Sequence, residues 1–392
     1  MSHTIFTYRI LIFILLLVLT ACQLEDTSPG NEQPSDNEER QSTGSSLSIQ
    51  HASGYTIETG EKYQKTNIFD PFKNRTDTLS YILYDRGESR PDISEGEQAV
   101  PIPLKKIVIF STTHAAMLAE LGAHETVAAI GESRWVVNSE FRRRLESGKI
   151  KSLPGANDLA MEQLIALEPD AIILIGQFFN QFRKMEKLRE LGINVIINSD
   201  WMEQTPLGRA EWIKMMGLLT GKTDQAVAHM KEITDQYNRI NRLTENIENK
   251  PSVLMNLSFK DQWYVPGGNS YMASLLEDAG AEYPWAYTSD TGGIPIAFEE
   301  VYQTGMKTDV WLNPGEANSR DDILSTDRRL SNLKPFKTGE IYNITKLRGE
   351  KGGYAFWERG VVNPHEILAD ITKILHPRLM PDHKLIYYEQ ID

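Results

Sequence analysis

The side chains best suited to hold a small molecule are aromatic and polar residues at the predicted carboxyl ends of β-strands. Aromatic rings bind a flat or bulky ligand, and a few polar groups fix its orientation. Open α/β sheets bind ligands at these strand ends, so the residues have a common location. The candidates are Ser111, Thr112, His114, Arg134, Trp135, Phe178, Phe179, Trp201, Trp263, Tyr271, Asn313, Arg348 and Trp357.

Each candidate also has a plain structural interpretation. Arg134 and Arg348 could bind an anion, because a guanidinium grips a carboxylate or phosphate through two hydrogen bonds, but either could be a solvated surface residue. Each aromatic ring could instead pack in a core. His114 could pack or cap a helix. The binding-site prediction therefore rests on how many candidates fall at strand ends, and not on any single one.

Motifs that would indicate catalysis are weak. The segment GLLTGKT, residues 217–223, has three residues between its glycines where a phosphate-binding loop has four, and a helical pattern precedes it. SNLK at 331–334 and KTG at 337–339 resemble motifs of penicillin-binding enzymes, in which distant segments supply them; here two residues separate them. No G-x-S-x-G motif is present. We predict that the chain is not an enzyme, with an extracytoplasmic hydrolase as the least favoured alternative.

A protein that binds free zinc or manganese ions is the main alternative function. Such sites need several histidine and carboxylate ligands. The chain has 8 histidines but no H-x-x-H or H-E-x-x-H pattern. We therefore predict no metal site made by the protein itself and no intrinsic cofactor.

Charge and cysteine content exclude several classes of partner and site. The formal net charge is −13, which argues against binding to nucleic acid or adhesion to anionic lipid. Cys22 is the only cysteine, so neither an intramolecular disulfide nor a zinc or iron–sulfur site built on cysteine clusters can form.

The first residues have the features of a secretion signal. An apolar run from 10 to 19 follows Arg9; it is shorter than the ~20 residues of a membrane span but suits a signal-peptide core. It ends in LTAC, which resembles the lipobox of bacterial lipoproteins, so Cys22 is the predicted lipidation site. Residues 23–46 contain Leu24 as their only hydrophobic side chain and are predicted to be a disordered tether. The folded part is expected outside the cytoplasm, at a membrane.

Alternating strand and helix patterns predict an α/β fold with mainly parallel sheets. LAELGA at 118–123 is matched by LEDAGA at 276–281, and MEQLIALEPDAIIL from Met161 is matched by FEEVYQTGMKTDVWL from Phe298. Two matches in the same order indicate two similar Rossmann-like lobes.

A long helix is predicted between the lobes, because apolar residues recur at helical spacing after Thr223, the expected N-cap. In the second lobe, residues 262–265 are expected to pair with the strand at 252–257. The predicted segments are a signal peptide (1–22), a tether (23–46), a β-rich extension with antiparallel strands (47–100), the first lobe (101–221), the linking helix (222–249) and the second lobe (250–392).

Taken together, the chain resembles the helix-linked substrate-binding lipoproteins of ABC importers (class III, cluster A), which serve ferric siderophores, haem and cobalamin. The resemblance covers about residues 100–375. It rests on the lipobox and tether, KKIVIFSTTHAAMLAELGAHETVAAIG from Lys105, a Pro-Gly turn before MEQLIALEPDAIIL, and LRELGINVIIN from Leu188.

The resemblance implies a function and a set of partners. The ligand would be an iron chelate or a corrinoid held between the lobes, and a monomer would deliver it to a membrane permease. Glu162 and Glu299 match the glutamates that pair with permease arginines in this family; the alternative is favourable charge at a helix N-terminus. The sequence leaves open which chelate binds and which membrane carries the lipid.

Overall fold

The computed structural model describes residues 47–72, 76–156, 160–176, 179–259 and 262–392. The predicted signal peptide, Cys22 and the tether lie outside the described residues. No helix within the described ranges combines the length and apolar character needed to span a membrane.

The extension ahead of the first lobe forms a four-stranded sheet. Its strands are β1 (Tyr55–Thr59), β2 (Tyr63–Phe69), β3 (Thr78–Asp85) and β4 (Glu97–Ile102), which lie in that order. β1, β2 and β3 are antiparallel neighbours as expected, whereas β4 is parallel to β3. Residues on one face of the sheet belong to the core of the first lobe.

The first lobe is built on a five-stranded parallel sheet. In chain order its elements are β5 (Ile107–Ile109), α1 (Thr112–Glu120), β6 (Val127–Gly131), α2 (Ser139–Glu146), β7 (Lys151–Leu153), α3 (Met161–Ala166), β8 (Ala171–Ile175), α4 (Phe179–Glu190) and β9 (Asn194–Asn198). The strand order is β7-β6-β5-β8-β9, and every neighbouring pair is parallel. β5 and β8 are continuous apolar runs because a parallel sheet is covered on both faces.

Two consecutive helices follow, α5 (Pro206–Thr220) and α6 (Thr223–Thr244). All residues of α5 are buried. Gly221 ends α5 at φ 69°, a left-handed conformation that glycine adopts without a steric cost. The segment GLLTGKT is therefore a helix end followed by a helix start, and not a phosphate-binding loop.

Helix α6 is the predicted linking helix. Ala226, Met230, Ile233 and Tyr237 on its apolar stripe are buried. The predicted N-cap was wrong: Thr223 is the first helical residue, and the residue before it makes no side-chain capping bond.

A strap formed by residues 48–54 lies across α5 and is held by two buried carboxylates. Glu211 accepts the backbone N–H groups of residues 50–52 at 2.6–3.0 Å. Glu203 accepts the next two N–H groups at 2.9 Å each. The Lys214 ammonium lies 2.6 Å from Glu211 and compensates its buried charge. The strap therefore joins the extension to α5 through charged, fully partnered groups.

The second lobe repeats the α/β arrangement on a smaller sheet. Its elements are β10 (Val253–Met255), β11 (Gln262–Pro266), α7 (Tyr271–Asp278), β12 (Gly293–Ala297), α8 (Phe298–Gly305), β13 (Val310–Leu312), α9 (Arg320–Thr326), α10 (Lys334–Thr338), β14 (Ile341–Asn343), α11 (Arg359–Val362), α12 (Pro364–Leu375) and β15 (Glu389–Gln390). The strand order is β10-β13-β14-β15, with β15 antiparallel and the other pairs parallel.

The predicted pairing of residues 262–265 with the strand at 252–257 was wrong. β11 pairs with β12, and β10 is the parallel neighbour of β13. Side-chain hydrogen bonds connect the two segments instead: the Trp263 indole N–H donates to the Met255 carbonyl at 2.9 Å, and Asn256 Nδ2 donates to the Tyr264 carbonyl at 2.8 Å. Two strand patterns close together in the sequence suggest a hairpin. In the structure, β10 and β11 each pair with a strand that lies beyond at least one helix in the sequence.

The predicted fold class is confirmed: two α/β lobes carry mainly parallel sheets. The internal repeat has a structural counterpart, because α1 and α7 both end before a left-handed glycine, Gly122 at φ 65° and Gly280 at φ 73°. Likewise α3 and α8 each lead into a buried strand, β8 or β13.

Replacing Glu211 with Gln should lower the free energy of unfolding by about 3 kcal/mol, because it leaves Lys214 buried without its counter-charge and weakens the strap. Burial would raise the pKa of Glu211, but hydrogen bonds from Lys214 and the strap lower it below 4.5 overall. The stabilisation is therefore present above pH 4.5 and is lost as the pH falls through the lowered pKa. Denaturant titration measures the change.

The exposed Glu248 provides the control, and Glu248→Gln should change stability by less than about 0.5 kcal/mol. Equal losses in the two variants would contradict the role assigned to Glu211.

Candidate functional site

The two lobes meet in a group of polar side chains that we call the floor cluster: Thr113, Asp200, Arg209 and Tyr271. The Thr113 hydroxyl donates to Asp200 Oδ1 at 3.1 Å, and Arg209 Nε donates to Oδ2 at 3.0 Å. The guanidinium carbon of Arg209 lies 4.6 Å from the centre of the Tyr271 ring. The cluster thus links the first lobe to the start of α7 in the second lobe.

Local structure places these side chains between the lobes. Ser111 caps α1 by accepting the Thr113 N–H at 3.2 Å, which fixes the first turn after β5. Asp200 opens a short 3-10 turn two residues after β9. Ser270 caps α7 in the same way and so orients Tyr271, the first residue of that helix. Strand ends and helix starts therefore converge at the interface.

The charges within the floor cluster compensate each other. Asp200 and Arg209 are 1% and 8% exposed, so their opposite charges compensate each other in a buried setting. Burial raises the pKa of Tyr271, although the neighbouring Arg209 opposes the rise, and the phenol is neutral at neutral pH. The cluster therefore adds no net charge to the interface between the lobes.

His114 lies fully buried in the first turn of α1. Burial lowers its pKa to about 4, against the attraction of the Asp200 charge, so the imidazole is neutral at neutral pH. Neither ring nitrogen has a hydrogen-bond partner among the residues that the structure describes. His114 therefore lies beneath the surface, and its role as a ligand contact stays a prediction.

On one flank the lobes enclose a cavity of about 520 Å³, which we call the side cavity. This volume lies within the range of small-molecule sites, ~300–1,000 Å³. Three basic and two acidic side chains give its walls a mixed charge. Its lining residues are Ala116, Ala119, Glu120, Val137, Asn138, Ser139, Lys346, Leu347, Arg348, Ala355, Glu358, Arg359 and Val362.

Glu358, on the wall of the side cavity, joins the two lobes directly. Its carboxylate accepts the backbone N–H groups of Val137 and Asn138 at 2.7 Å each. Burial raises the pKa of Glu358 to about 7, although these hydrogen bonds and the charge of Arg142 favour the ionised form. The contact therefore titrates near neutral pH.

Two predicted aromatic residues remain accessible, one from each lobe. Trp135 and Trp357 are each 39% exposed. The Trp135 backbone packs against Gly353 of the second lobe so closely that a Cβ there would come within 2.0 Å of the Trp135 carbonyl oxygen. The Arg134 guanidinium stacks on the Trp135 ring at 4.4 Å. Trp201 is partly exposed and donates its indole N–H to the Gly176 carbonyl at 3.0 Å.

Other predicted residues are committed to structural contacts. Trp263 is fully buried between aromatic neighbours, 5.8 Å from Trp311, because its strand faces the core; no ring face is left for a ligand. Arg348 forms an ion pair with Glu316 at 2.8 Å. Asn313 is 5% exposed at the end of β13.

The remaining predicted contacts are less defined. Thr112 begins α1 and is half-buried. Phe178 lies outside the described residues; Phe179 begins α4, but its side chain also lies outside what is described.

Arg209 and Glu358 were not predicted from the sequence. Arg209 lies within a regular helix, and Glu358 lies in a segment whose sequence shows no clear helix or strand periodicity. The positions of Thr113 and Asp200 did point to the site, since each comes soon after a predicted strand.

Comparison with known proteins identifies the family. A family model described as periplasmic binding protein matches residues 107–347, more than half of the chain. The chain belongs to the periplasmic binding protein family. An uncharacterized lipoprotein of Methanocaldococcus jannaschii is 22% identical over 339 residues, which cover 84% of this chain and 76% of the relative.

Solved structures share the fold. A periplasmic haem-binding protein from Pseudomonas aeruginosa has a TM-score of 0.55 and 17% identity, covering 74% of this chain and 98% of that chain. An ABC-type Fe³⁺-hydroxamate transport system from Saccharomonospora viridis has a TM-score of 0.52 and 18% identity, covering 69% and 93%. The family resemblance predicted from the sequence is confirmed: this is a periplasmic binding protein of ABC-importer type.

Among the described residues of this periplasmic binding protein, no group of three or more His, Cys, Asp or Glu side chains is placed to hold a metal ion. Glu162 and Glu299 occupy equivalent positions, each the second residue of its helix, α3 or α8, and both are exposed. Arg329 approaches Glu299 at 3.8 Å but binds Asp327 at 2.7 Å, so the Glu299 carboxylate stays available.

Replacing Glu358 with Gln should remove a pH dependence of stability. Because the folded-state pKa of about 7 lies above the ordinary 4.5, the contribution of Glu358 is complete below pH 4.5 and is lost as the pH rises through 7. Thermal unfolding at pH 5 and pH 8 should show a wild-type loss larger than that of Glu358→Gln by on the order of 2 kcal/mol.

The exposed Glu350 is the matched control, and Glu350→Gln should retain the wild-type pH dependence. Parallel pH curves for wild type and Glu358→Gln would show that Glu358 does not titrate in this range.

Proposed function

We propose that this protein captures a metal chelate between its lobes and delivers it to the permease of an ABC importer. The chelate would be a ferric siderophore, haem or cobalamin. Family membership supports the importer role, and the fold shared with the haem-binding and Fe³⁺-hydroxamate proteins supports the ligand class. The single observation that carries the proposal is the floor cluster, where Arg209 and Tyr271 from different lobes meet at 4.6 Å.

The chemistry of the interface suits a large ligand with flat or apolar surfaces. Trp135 and Trp357 offer exposed rings from opposite lobes. The buried pair Asp200–Arg209 compensates its own charges and so adds no net charge to the interface. Lys346 in the side cavity adds a place for a peripheral carboxylate, whereas Arg359 there is already paired with Glu366.

We also propose that Cys22 carries the lipid and that the protein works outside the cytoplasm on a membrane surface. The lipoprotein relative supports this placement, as does the lipobox. Lipidation at two or more chains gives stable anchoring, since each buried methylene contributes ~0.8 kcal/mol.

Titration of the purified folded part with hemin, cyanocobalamin and ferric hydroxamates should quench tryptophan fluorescence, with a Kd below about 1 µM for at least one of them. Trp135→Phe and Trp357→Phe should each reduce the quenching, because these rings lie at the interface and are accessible. Trp285→Phe is the control, since that ring is buried in the second lobe.

The possible results test the ligand class and the location of the binding site separately. If none of the three ligand types binds below micromolar concentration, the proposed ligand class is wrong. If quenching occurs but is lost only in Trp285→Phe, the ligand binds elsewhere.

Glu162 and Glu299 are proposed to contact the permease. Reversing both charges, Glu162→Lys with Glu299→Lys, should abolish uptake in cells while the ligand Kd of the purified protein stays unchanged, because both carboxylates are exposed at helix starts. Glu190→Lys with Glu277→Lys reverses two other exposed helical charges and should preserve uptake. A loss of ligand affinity in the variant with Glu162→Lys and Glu299→Lys would contradict the docking role.

A further inference from the structure

The last described residues of the chain are held by one buried carboxylate. Asp370 of α12 is fully buried. Its Oδ1 accepts the His383 Nε2 at 2.7 Å and the Ile386 N–H at 2.8 Å, and its Oδ2 accepts the Tyr387 N–H at 2.7 Å. The Tyr388 N–H adds a fourth contact at 3.2 Å. A single side chain therefore fixes the path of residues 383–388, which we call the C-terminal segment.

The C-terminal segment brings Tyr388 to the ligand edge of the second sheet. β15 runs antiparallel to β14, with Asn343 opposite Glu389. Tyr388 consequently lies beyond the carboxyl end of β14, where the parallel strands of the sheet end. Asn313 follows β13 at the same edge. Tyr271 of the floor cluster is near enough to influence the ionisation of Tyr388.

Two adjacent tyrosines differ in how their hydroxyl groups are satisfied. The Tyr387 hydroxyl donates to Glu366 Oε2 at 2.5 Å. The Tyr388 hydroxyl faces the Asn313 side chain, but neither group meets hydrogen-bond geometry with any described residue. Tyr388 is 0% exposed and Asn313 is 5% exposed. Buried polar groups without partners are rare in proteins, and each calls for an explanation.

We propose that Tyr388 and Asn313 form a subsite for an uncharged amide or carbonyl group of the bound ligand, so that Tyr388 is the one ligand contact supplied by the C-terminal segment. This inference rests on the proposed function. Both side chains are covered in the structure, so the ligand group reaches them only when the lobes part beside the floor cluster.

The chemistry of the pair selects an uncharged group. Burial, with the nearby Asp370 charge, raises the pKa of Tyr388 well above its ordinary value, so the phenol stays neutral. A phenol and a primary amide supply donors and acceptors together, which complements an amide. Arg209 of the neighbouring floor cluster is already paired with Asp200. The two side chains of the subsite carry no charge to attract a carboxylate, whereas an amide would satisfy both of them.

Asp370 is then a positioning residue and Tyr388 a ligand contact. The Asp370 carboxylate touches only the C-terminal segment in the contacts of the described chain. It acts on the ligand through the placement of Tyr388.

The test compares Tyr388→Phe with Tyr387→Phe in the purified folded part, using the cyanocobalamin, hemin and ferric hydroxamate titrations together with thermal unfolding. Tyr388→Phe should weaken binding of a probe that carries amide or hydroxamate carbonyls about tenfold while the melting temperature stays equal or rises, since an unpaired buried hydroxyl is removed. Tyr387→Phe should lower the melting temperature, because Glu366 loses its donor, and leave the Kd unchanged.

The possible results distinguish this inference from the proposed function. If wild type binds a probe and Tyr388→Phe binds it equally well, the subsite is wrong and the proposed function stands. If Tyr388→Phe loses stability and affinity in parallel, its role is structural and the subsite is likewise overturned. If wild type binds none of the three probe types, both are overturned.

Discussion

The buried ion pair between Asp200 and Arg209 is the interaction on which the interface between the lobes depends. Neither charge could remain at that depth alone, because a buried ion without a partner is strongly destabilising. The pair in turn needs α5, which carries Arg209, to stay in place. The strap secures α5 from its other side through Glu203 and Glu211. The chain ahead of the lobes and the binding surface are thus parts of one connected arrangement.

Buried carboxylates that gather backbone N–H groups recur throughout this acidic chain. Glu211 and Glu203 hold the strap, Asp370 holds the C-terminal segment, and Glu358 joins the second lobe to the first. In each case one side chain satisfies two or more N–H groups that no helix or strand would otherwise use. These contacts order irregular segments, which apolar packing alone orients poorly. They explain why loops here can position functional groups as firmly as helices do.

Much of the fold was predictable from local patterns. Continuous apolar runs identified β5, β8 and β9, and the stripe on α6 with Gly221 before it identified the linking helix. The pairing of β11 was not predictable, since its partner β12 follows an intervening helix and a loop. The site was predicted only in outline. Trp135 and Trp357 are accessible, whereas Trp263 is a core residue, and no sequence pattern distinguished it from the other two.

The sequence by itself determined the class of fold, the repeat of two lobes and the importer family; the strand ends as the place where a ligand binds stay a prediction. These follow from periodicity and from residue types that act over a few neighbouring positions. Only the tertiary structure decided which side chains meet there. Arg209 faces Tyr271 and Glu358 reaches Val137 across the lobes, over sequence separations that no local pattern encodes. Tyr388 reaches the ligand edge because a distant aspartate, Asp370, determines where the chain's last residues lie.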